Sequence, residues 1–331
     1  MIRSIARCRV DLAGGTLDIW PLGAMHPGSV TVNLAVDLQV EVRLSPRDRE
    51  YVVRQDGATR RSPDARGLLA DPSTALAGLV ALELDLPPIA LELLSASPRG
   101  AGLGASSALT VALLAAGEML RDRRLRLTPE HRAAVARDLE ARMMGLPTGM
   151  QDHLPGQLGG ALSIEHRAGG VRIVRLDADL EALGARLVVA YTGQSHFSAA
   201  NNWSILRRRF EGDPPTIERL DRIRDVAREL PAAIEAGDWP AIGGLMAEEW
   251  RARRGLAPEV TTPALDALLE RCRELGAWGG KSCGAGGGGS IAVLAPPERR
   301  PAIEAVLVSA GARPLAAPPT ERGLEVTNEN R

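Results

Sequence analysis

A glycine-rich segment at residues 98–108, PRGAGLGASSA, constrains the fold of this chain more than any other feature. Gly100, Gly102 and Gly104 carry no side chains, so the backbone there can lie directly against a ligand. The residues that follow are apolar and rich in helix formers, which predicts a helix over residues 109–121. The start of a helix presents free N–H groups and the positive end of the helix dipole, and phosphate binds well there. The segment therefore predicts a phosphate-binding loop, with an ordinary serine-capped turn as the alternative.

This loop differs from the two common nucleotide-binding loops. A P-loop needs Lys and then Ser or Thr after its glycines, whereas this chain has Gly104-Ala105-Ser106-Ser107. A dinucleotide-binding fingerprint needs an acidic residue at the end of a second strand, and none stands at the usual distance. The predicted nucleotide contacts are Pro98, Gly100, Ala101, Gly102, Leu103, Gly104, Ala105, Ser106 and Ser107.

Two further glycine-rich segments lie near the ends of the chain. Residues 9–18 read RVDLAGGTLD, and residues 281–289 read KSCGAGGGG and precede the apolar run SIAVLA. Each segment adjoins an apolar run, so each is a turn inside a packed domain rather than a linker. Lys281 is a candidate for an additional phosphate contact, with a surface lysine as the alternative.

Together the three segments resemble the motifs of the GHMP kinases, the family of galactokinases, homoserine kinases, mevalonate kinases and phosphomevalonate kinases. Residues 98–107 match the central motif Pro-x-x-x-Gly-Leu-Gly-x-Ser-Ser, and residues 284–288 match the third motif, Gly-Ala-Gly-Gly-Gly. Residues 9–18 resemble the first motif of bacterial heptose and fucose kinases. The resemblance implies a two-domain fold, ribosomal S5 domain 2-like over residues 1–180 and ferredoxin-like over residues 181–331, with the active site in the cleft between them.

The pattern of hydrophobic residues agrees with an α+β fold. Residues 30–44 alternate with a period of two, which predicts a long half-buried strand, and Tyr51–Arg54 is its predicted hairpin partner. Residues 57–73 are predicted to form a loop, near which we expect the adenine pocket. Residues 198–274 are mostly helical in pattern, so hairpins come first and helices later.

The resemblance also implies catalytic and metal-binding residues. Asp152, in the turn of EARMMGLPTGMQDH, matches the catalytic base of galactokinases and mevalonate kinases, and Arg9 matches the arginine beside it. Glu140 and Ser107 match the magnesium ligands. Without the resemblance, Asp152 is an ordinary turn residue and Glu140 a solvated charge on a helix.

The sequence says less about the residues that bind the phosphoryl acceptor. Asp18 matches the aspartate that binds sugar hydroxyls in sugar kinases, and Cys283 stands where Ser or Thr is usual in the third motif. The segment YTGQSHFSAANN resembles heptose 7-phosphate kinases, but His196 replaces their arginine, so a phosphorylated and an unphosphorylated sugar both stay open. The predicted substrate contacts are Asp18, Gly14, Gly15, Gly286, Gly287, Tyr191 and His196.

Composition excludes other classes of function. The net charge of −1 provides no field that would attract nucleic acid or an anionic membrane. Three distant cysteines favour a reduced protein over a disulfide framework, and no signal peptide is recognisable, so we expect a cytoplasmic location. The sequence leaves open whether the protein forms a homodimer.

These features predict an enzyme that uses ATP and Mg²⁺ to phosphorylate a sugar or sugar phosphate, at the anomeric hydroxyl and with a heptose type favoured. A mevalonate-type isoprenoid kinase is one alternative, and a non-catalytic regulator that binds sugar and ATP is the other. Asp18 and the sugar-kinase form of the first motif argue against the former. A turnover assay distinguishes the non-catalytic regulator from an enzyme.

Overall fold

The computed structural model describes residues 1–194, 199–284 and 286–329. Within them, eight strands form one sheet and four form another. The strands are β1 (Ile2–Ala13), β2 (Val30–Pro46), β3 (Tyr51–Gln55), β4 (Ala58–Ser62), β5 (Ile89–Ser95), β6 (Ala161–Arg167), β7 (Gly170–Arg175), β8 (Leu187–Tyr191), β9 (Gly279–Ser282), β10 (Ser290–Leu294), β11 (Arg313–Pro314) and β12 (Glu325–Asn328). The helices are α1 (Leu22–Met25), α2 (Ala75–Glu83), α3 (Ala105–Asp122), α4 (Pro129–Met144), α5 (Pro155–Leu158), α6 (Leu180–Arg186), α7 (Ala199–Phe210), α8 (Pro214–Glu235), α9 (Trp239–Arg253), α10 (Pro263–Glu274) and α11 (Arg300–Ser309), and 3-10 turns lie at Gly67–Ala70, Pro258–Val260 and Pro297–Arg299.

Strand β2 organises the first sheet, as its alternating pattern predicted. One edge of β2 pairs with β1 along most of its length. The other edge pairs with β6 over residues 30–34 and with β5 over residues 40–46. Side chains in the second half of β2 alternate between buried and half-buried, because one face of the sheet packs on the core there.

The predicted hairpin between the long strand and residues 51–54 is wrong. Strand β3 pairs antiparallel with β4 and parallel with β5, while β5 occupies the edge of β2. Alternation identifies a strand but not its partner, because the partner is set by long-range packing. The loop predicted over residues 57–73 was also wrong in part, since it contains β4 and a 3-10 turn.

Helix α3 begins four residues before the predicted start at Leu109. Gly104 caps it in the left-handed region, with φ of +72°, so Ser106 and Ser107 lie in its first turn. The first turn of this helix therefore follows directly on the glycine loop, so its backbone N–H groups lie beside the loop glycines.

The second sheet has the order β11-β8-β10-β9, with antiparallel pairing. Helices α7, α8, α10 and α11 contribute buried apolar residues to a core with β8 and β10. Leu17, Ile19 and Leu22, from the segment after β1, are buried in that same core. The first glycine-rich segment thus joins the two halves of the molecule.

The C-terminal strand β12 returns to the first sheet, where it pairs antiparallel with β1. Mixed sheets and helices confirm the α+β class. A domain division at residue 180 stays a prediction, since residues 325–328 lie in the first sheet. In the part of the chain that the structure describes, no helix has the length and apolarity needed to cross a membrane.

Candidate active site

A cleft of about 420 Å³ lies where the three glycine-rich segments meet. Its lining includes every predicted nucleotide contact, from Pro98 to Ser107, together with Arg9, Asp18 and Asp152. A further wall is formed by Gln55, Asp56 and Leu93. Of the region where the adenine pocket was expected, residues 56–73, only Asp56 lines this cleft.

The phosphate loop and the third motif pack backbone against backbone. The N–H of Ser290 donates to the carbonyl of Ala101 at 2.8 Å. A Cβ added to Gly102 would stand 2.6 Å from the carbonyl oxygen of Cys283, so only glycine fits. Cys283 is buried beside the cleft, and burial raises the pKa of its thiol to about 12. The thiol is therefore a neutral wall group and not a reactive one.

Arg9 and Asp152 form an ion pair in the cleft. The Nε and Nη2 atoms of Arg9 lie 2.9 and 2.6 Å from Oδ1 of Asp152. The Nη1 atom donates to the carbonyl of Gly102 at 2.6 Å, so the same guanidinium contacts the phosphate loop. Arg9 is 2 % exposed and Asp152 is 31 % exposed, so the carboxylate faces the cleft and the guanidinium lies behind it.

Glu140 is buried, which excludes a solvated helix charge. Its carboxylate accepts hydrogen bonds from Ser107 Oγ at 3.0 Å and Thr110 Oγ1 at 2.8 Å. The Nε2 atom of His153 lies 3.2 Å from Oε2 of Glu140. Burial alone would raise the pKa of Glu140, but His153 and the two hydroxyls lower it below its ordinary value. The structure therefore brings together both predicted metal ligands, with Ser107 lining the cleft and Glu140 directly behind it.

Asp18 lines the same cleft, next to the turn that carries Asp152. Its Oδ2 accepts a hydrogen bond from the backbone N–H of Gln151 at 3.1 Å. A Cβ on Gly149 would stand 1.7 Å from that oxygen, so the missing side chain of Gly149 makes room for the carboxylate. Burial and the nearby charge of Asp152 raise the pKa of Asp18 to about 6.

Several predicted substrate contacts lie behind the cleft wall. Gly14 packs against β2, where a Cβ would be 2.0 Å from the carbonyl oxygen of Val30. Tyr191 donates from its hydroxyl to the carbonyl of Arg99 at 3.4 Å, and Gly287 donates to that of Val260 at 2.6 Å. Gly15, Gly14, Tyr191 and Gly287 are not among the lining residues, whereas Gly286 is. His196 lies outside the described residues.

The phosphate contact predicted for Lys281 is wrong. Lys281 is fully buried, and its Nζ lies 3.1 Å from Oδ2 of Asp11 and 3.0 Å from Oε2 of Glu249. In the sequence, Lys281 comes just before the third glycine-rich segment, which suggested a phosphate contact. In the structure, its ammonium group forms ion pairs with two buried carboxylates instead.

Two lining residues of the cleft, Thr16 and Arg253, were not predicted from the sequence, whereas Asn202 belongs to the polar segment that was. The spacing of Glu249 and Arg253, four residues apart on one helix, was the available signal. That spacing is common on solvated helices, so it does not by itself indicate burial.

Comparison with known proteins agrees with this geometry. The GHMP kinases N terminal domain matches residues 73–160, and the GHMP kinases C terminal domain matches residues 230–312. A mevalonate kinase of Pyrococcus abyssi is 31 % identical over 251 residues, covering 72 % of this chain and 68 % of that protein. A D-glycero-alpha-D-manno-heptose 7-phosphate kinase of Campylobacter jejuni is 24 % identical over 322 residues, covering 90 % and 91 %.

Among solved structures, a galactokinase of Lactococcus lactis in complex with galactose superposes with a TM-score of 0.78. It is 15 % identical and the match covers 98 % of this chain and 95 % of that one, so it supports the fold alone. With both family domains present and a relative of 31 % identity along most of the chain, this protein belongs to the GHMP kinase family of phosphotransferases.

Proposed function

We propose that this protein transfers the γ-phosphoryl group of ATP to a hydroxyl of a sugar, with the anomeric hydroxyl of a heptose-type sugar favoured. The observation that carries the proposal is the Arg9–Asp152 pair, which contacts the glycine loop at Gly102 and lines the same cleft as Asp18. A nucleotide with its phosphates on the loop and a polyol on Asp18 would bring donor and acceptor together beside one carboxylate.

Each group has a role that its surroundings support. Asp152 is the base that orients the acceptor hydroxyl and accepts its proton. Arg9 holds the Asp152 carboxylate in place and puts positive charge beside the transferred phosphoryl group. The first turn of α3 offers N–H groups to the phosphates at its N-terminus. Asp18, with a pKa of about 6, is ionised at neutral pH and accepts hydrogen bonds from sugar hydroxyls.

The donor set at the loop fits Mg²⁺. The Ser107 hydroxyl and the Glu140 carboxylate are hard oxygen ligands 3.0 Å apart, and they would hold the ion. No cluster of three or more His, Cys, Asp or Glu side chains able to hold a metal occurs in the described residues. That agrees with an ion held by few protein ligands and completed by phosphate oxygens. Bound there, Mg²⁺ would neutralise charge on the triphosphate.

A sugar acceptor is favoured by the position of Asp18 and by the extent of the heptose kinase match. That match covers 90 % of this chain, against 72 % for the mevalonate kinase of Pyrococcus abyssi. The higher identity of the mevalonate kinase, 31 % against 24 %, supports mevalonate as the second candidate. Asp18 repels the carboxylate that mevalonate carries, which favours the sugar.

The experiment is a measurement of ATP consumption with Mg²⁺ against a panel of acceptors. The panel contains heptose 7-phosphate, unphosphorylated heptose, mannose, fucose, galactose and mevalonate. Turnover on one sugar, lost in Asp152→Asn, would establish the kinase and identify its acceptor. Turnover on mevalonate alone would replace the sugar proposal with the isoprenoid one. ATP binding without turnover on any of them would favour a regulator that binds both ligands.

A further inference from the structure

Thr16 has an unusual backbone conformation in the cleft wall. Its φ is +77°, a region that β-branched residues rarely adopt. Among the described residues, the other non-glycine positions with positive φ are Asp56, Asp85 and Arg123, and all three are exposed. Thr16 is instead 6 % exposed and lines the cleft. Strain of this kind persists only where the surroundings hold the residue in place.

The guanidinium of Arg253 supplies that restraint. Its Nη1 donates to Oγ1 of Thr16 at 2.9 Å, and its Nη2 donates to the carbonyl of Gly15 at 2.7 Å. A Cβ on Gly15 would stand 3.0 Å from Nη2, so glycine allows this close approach. One side chain at the end of α9 thus holds two consecutive residues of the first motif.

Arg253 is itself held by a chain of buried charges. Its Nε donates to Oε1 of Glu249 at 2.8 Å. Lys281 Nζ lies 3.0 Å from the other oxygen of Glu249 and 3.1 Å from Oδ2 of Asp11. The four side chains are at most 2 % exposed and contain two positive and two negative charges. Removing one member would leave an unpaired buried charge, so the chain holds β1, α9 and β9 in one arrangement.

Thr16 is close in the chain to the proposed acceptor contact. The carbonyl of Thr16 accepts from the N–H of Ile19 at 3.1 Å, and that of Gly14 accepts from Leu17 at 3.3 Å. These turns enclose Asp18, whose carboxylate reaches the N–H of Gln151. A change in φ at Thr16 would therefore rotate the Asp18 side chain relative to the turn that contains Gln151 and Asp152.

We propose that Thr16 and Arg253 are positioning residues for the acceptor: Arg253, held by Glu249, Lys281 and Asp11, fixes Thr16 so that Asp18 faces the acceptor beside Asp152. The inference rests on the proposed function for the identity of the acceptor site. It assigns the buried charges a role in acceptor binding, in addition to their role in holding β1, α9 and β9 together.

The test compares Thr16→Val, which keeps the shape and loses the hydroxyl, with Thr16→Ser, which keeps the hydroxyl. Valine should raise the KM for the acceptor about tenfold, because Asp18 is no longer held in the position that faces the acceptor. The KM for ATP should stay within about twofold, and serine should restore acceptor binding. Equal behaviour of the two variants, or a parallel rise in both KM values, would overturn the proposal.

A second pair tests the arginine. Arg253→Met should affect the acceptor as Thr16→Val does. Its control, Arg254→Met, removes the next arginine, which is 43 % exposed and pairs with Asp266. If Arg253→Met does not fold, because Lys281 alone is left to pair with the buried carboxylates of Glu249 and Asp11, the Thr16 variants still decide the outcome.

Amide hydrogen exchange separates this inference from the proposed function. In the ligand-free protein, Thr16→Val should speed exchange at Leu17 and Ile19 by about tenfold while residues 98–110 keep their wild-type rates. If the wild-type protein phosphorylates no acceptor, the proposed function fails, but exchange still reports whether Thr16 holds the loop. Unchanged exchange at both amides would overturn the inference even in an active enzyme.

Discussion

Arg9 directs two nitrogens at a single oxygen of Asp152, with Nε at 2.9 Å and Nη2 at 2.6 Å from Oδ1. Among the described residues, the other oxygen of Asp152 accepts no hydrogen bond. One oxygen therefore anchors the carboxylate while the other is available to an acceptor hydroxyl. Because Arg9 also donates to the carbonyl of Gly102, it couples Asp152 to the glycine loop.

The first prediction concerns Asp152. Asp152→Asn should lower kcat by about 10²–10⁴-fold, because the amide cannot accept the proton. The Kd for Mg²⁺–ATP should change by less than about threefold, since the phosphate loop is untouched. Steady-state kinetics and calorimetric nucleotide binding measure the two quantities. The control is Asp138→Asn, which changes a carboxylate on α4 that is 65 % exposed. If kcat for Asp152→Asn is close to that of the control, Asp152 is not the catalytic base.

The second prediction concerns the metal. Glu140→Gln keeps the shape of the side chain and one of the two oxygens that accept from Thr110 and Ser107, but removes the negative charge. It should raise the Mg²⁺ concentration for half-maximal activity by about 10-fold or more. A magnesium titration at fixed ATP measures this, with Glu130→Gln at the exposed start of α4 as the control. If both variants titrate like the wild type, Glu140 does not bind the ion.

The third prediction concerns pH. Because the pKa of Asp18 is raised from 3.8 to about 6, its protonated form is favoured in the folded state. The stability that this group contributes is full below about pH 4 and is lost as the pH rises through about 6. Relative to Asp18→Asn, the wild type should lose about 2 kcal/mol of unfolding free energy between pH 4 and 7.5, allowing for its partial exposure. Urea unfolding at several pH values tests this, and a difference that is independent of pH would contradict it.

The fourth prediction concerns the turn that faces Asp18. Gly149→Ala would place a Cβ 1.7 Å from Oδ2 of Asp18, so the carboxylate must move. A displacement of this size should lower kcat/KM for the acceptor by up to about 10²-fold, with little effect on the KM for ATP. The matched control is Gly170→Ala, where a Cβ meets no atom within 4 Å. Equal kinetics for the two alanine variants would show that Asp18 is not held by this turn.

Much of the fold followed from local patterns. The strand over residues 30–44 and the helix over residues 109–121 were predicted because periodicity and helix propensity are local properties. The pairing of β3 was not predicted correctly, because β5, a distant segment of the chain, pairs with the edge of β2 where β3 was expected. The glycine loop predicted that a helix follows it. Only the structure shows that the helix begins directly after Gly104, so that Ser106 and Ser107 lie in its first turn.

The candidate site shows the same division. The sequence indicated the three glycine-rich segments directly, and the resemblance of their motifs to those of the GHMP kinases implied Asp152, Glu140 and Asp18. Only the tertiary structure revealed that Lys281 lies beneath the site and that Arg253 holds Thr16. These contacts join residues more than 230 positions apart. Whether a charged side chain is solvated or buried with a partner depends on which distant elements pack over it, and a pattern of nearby residues does not carry that information.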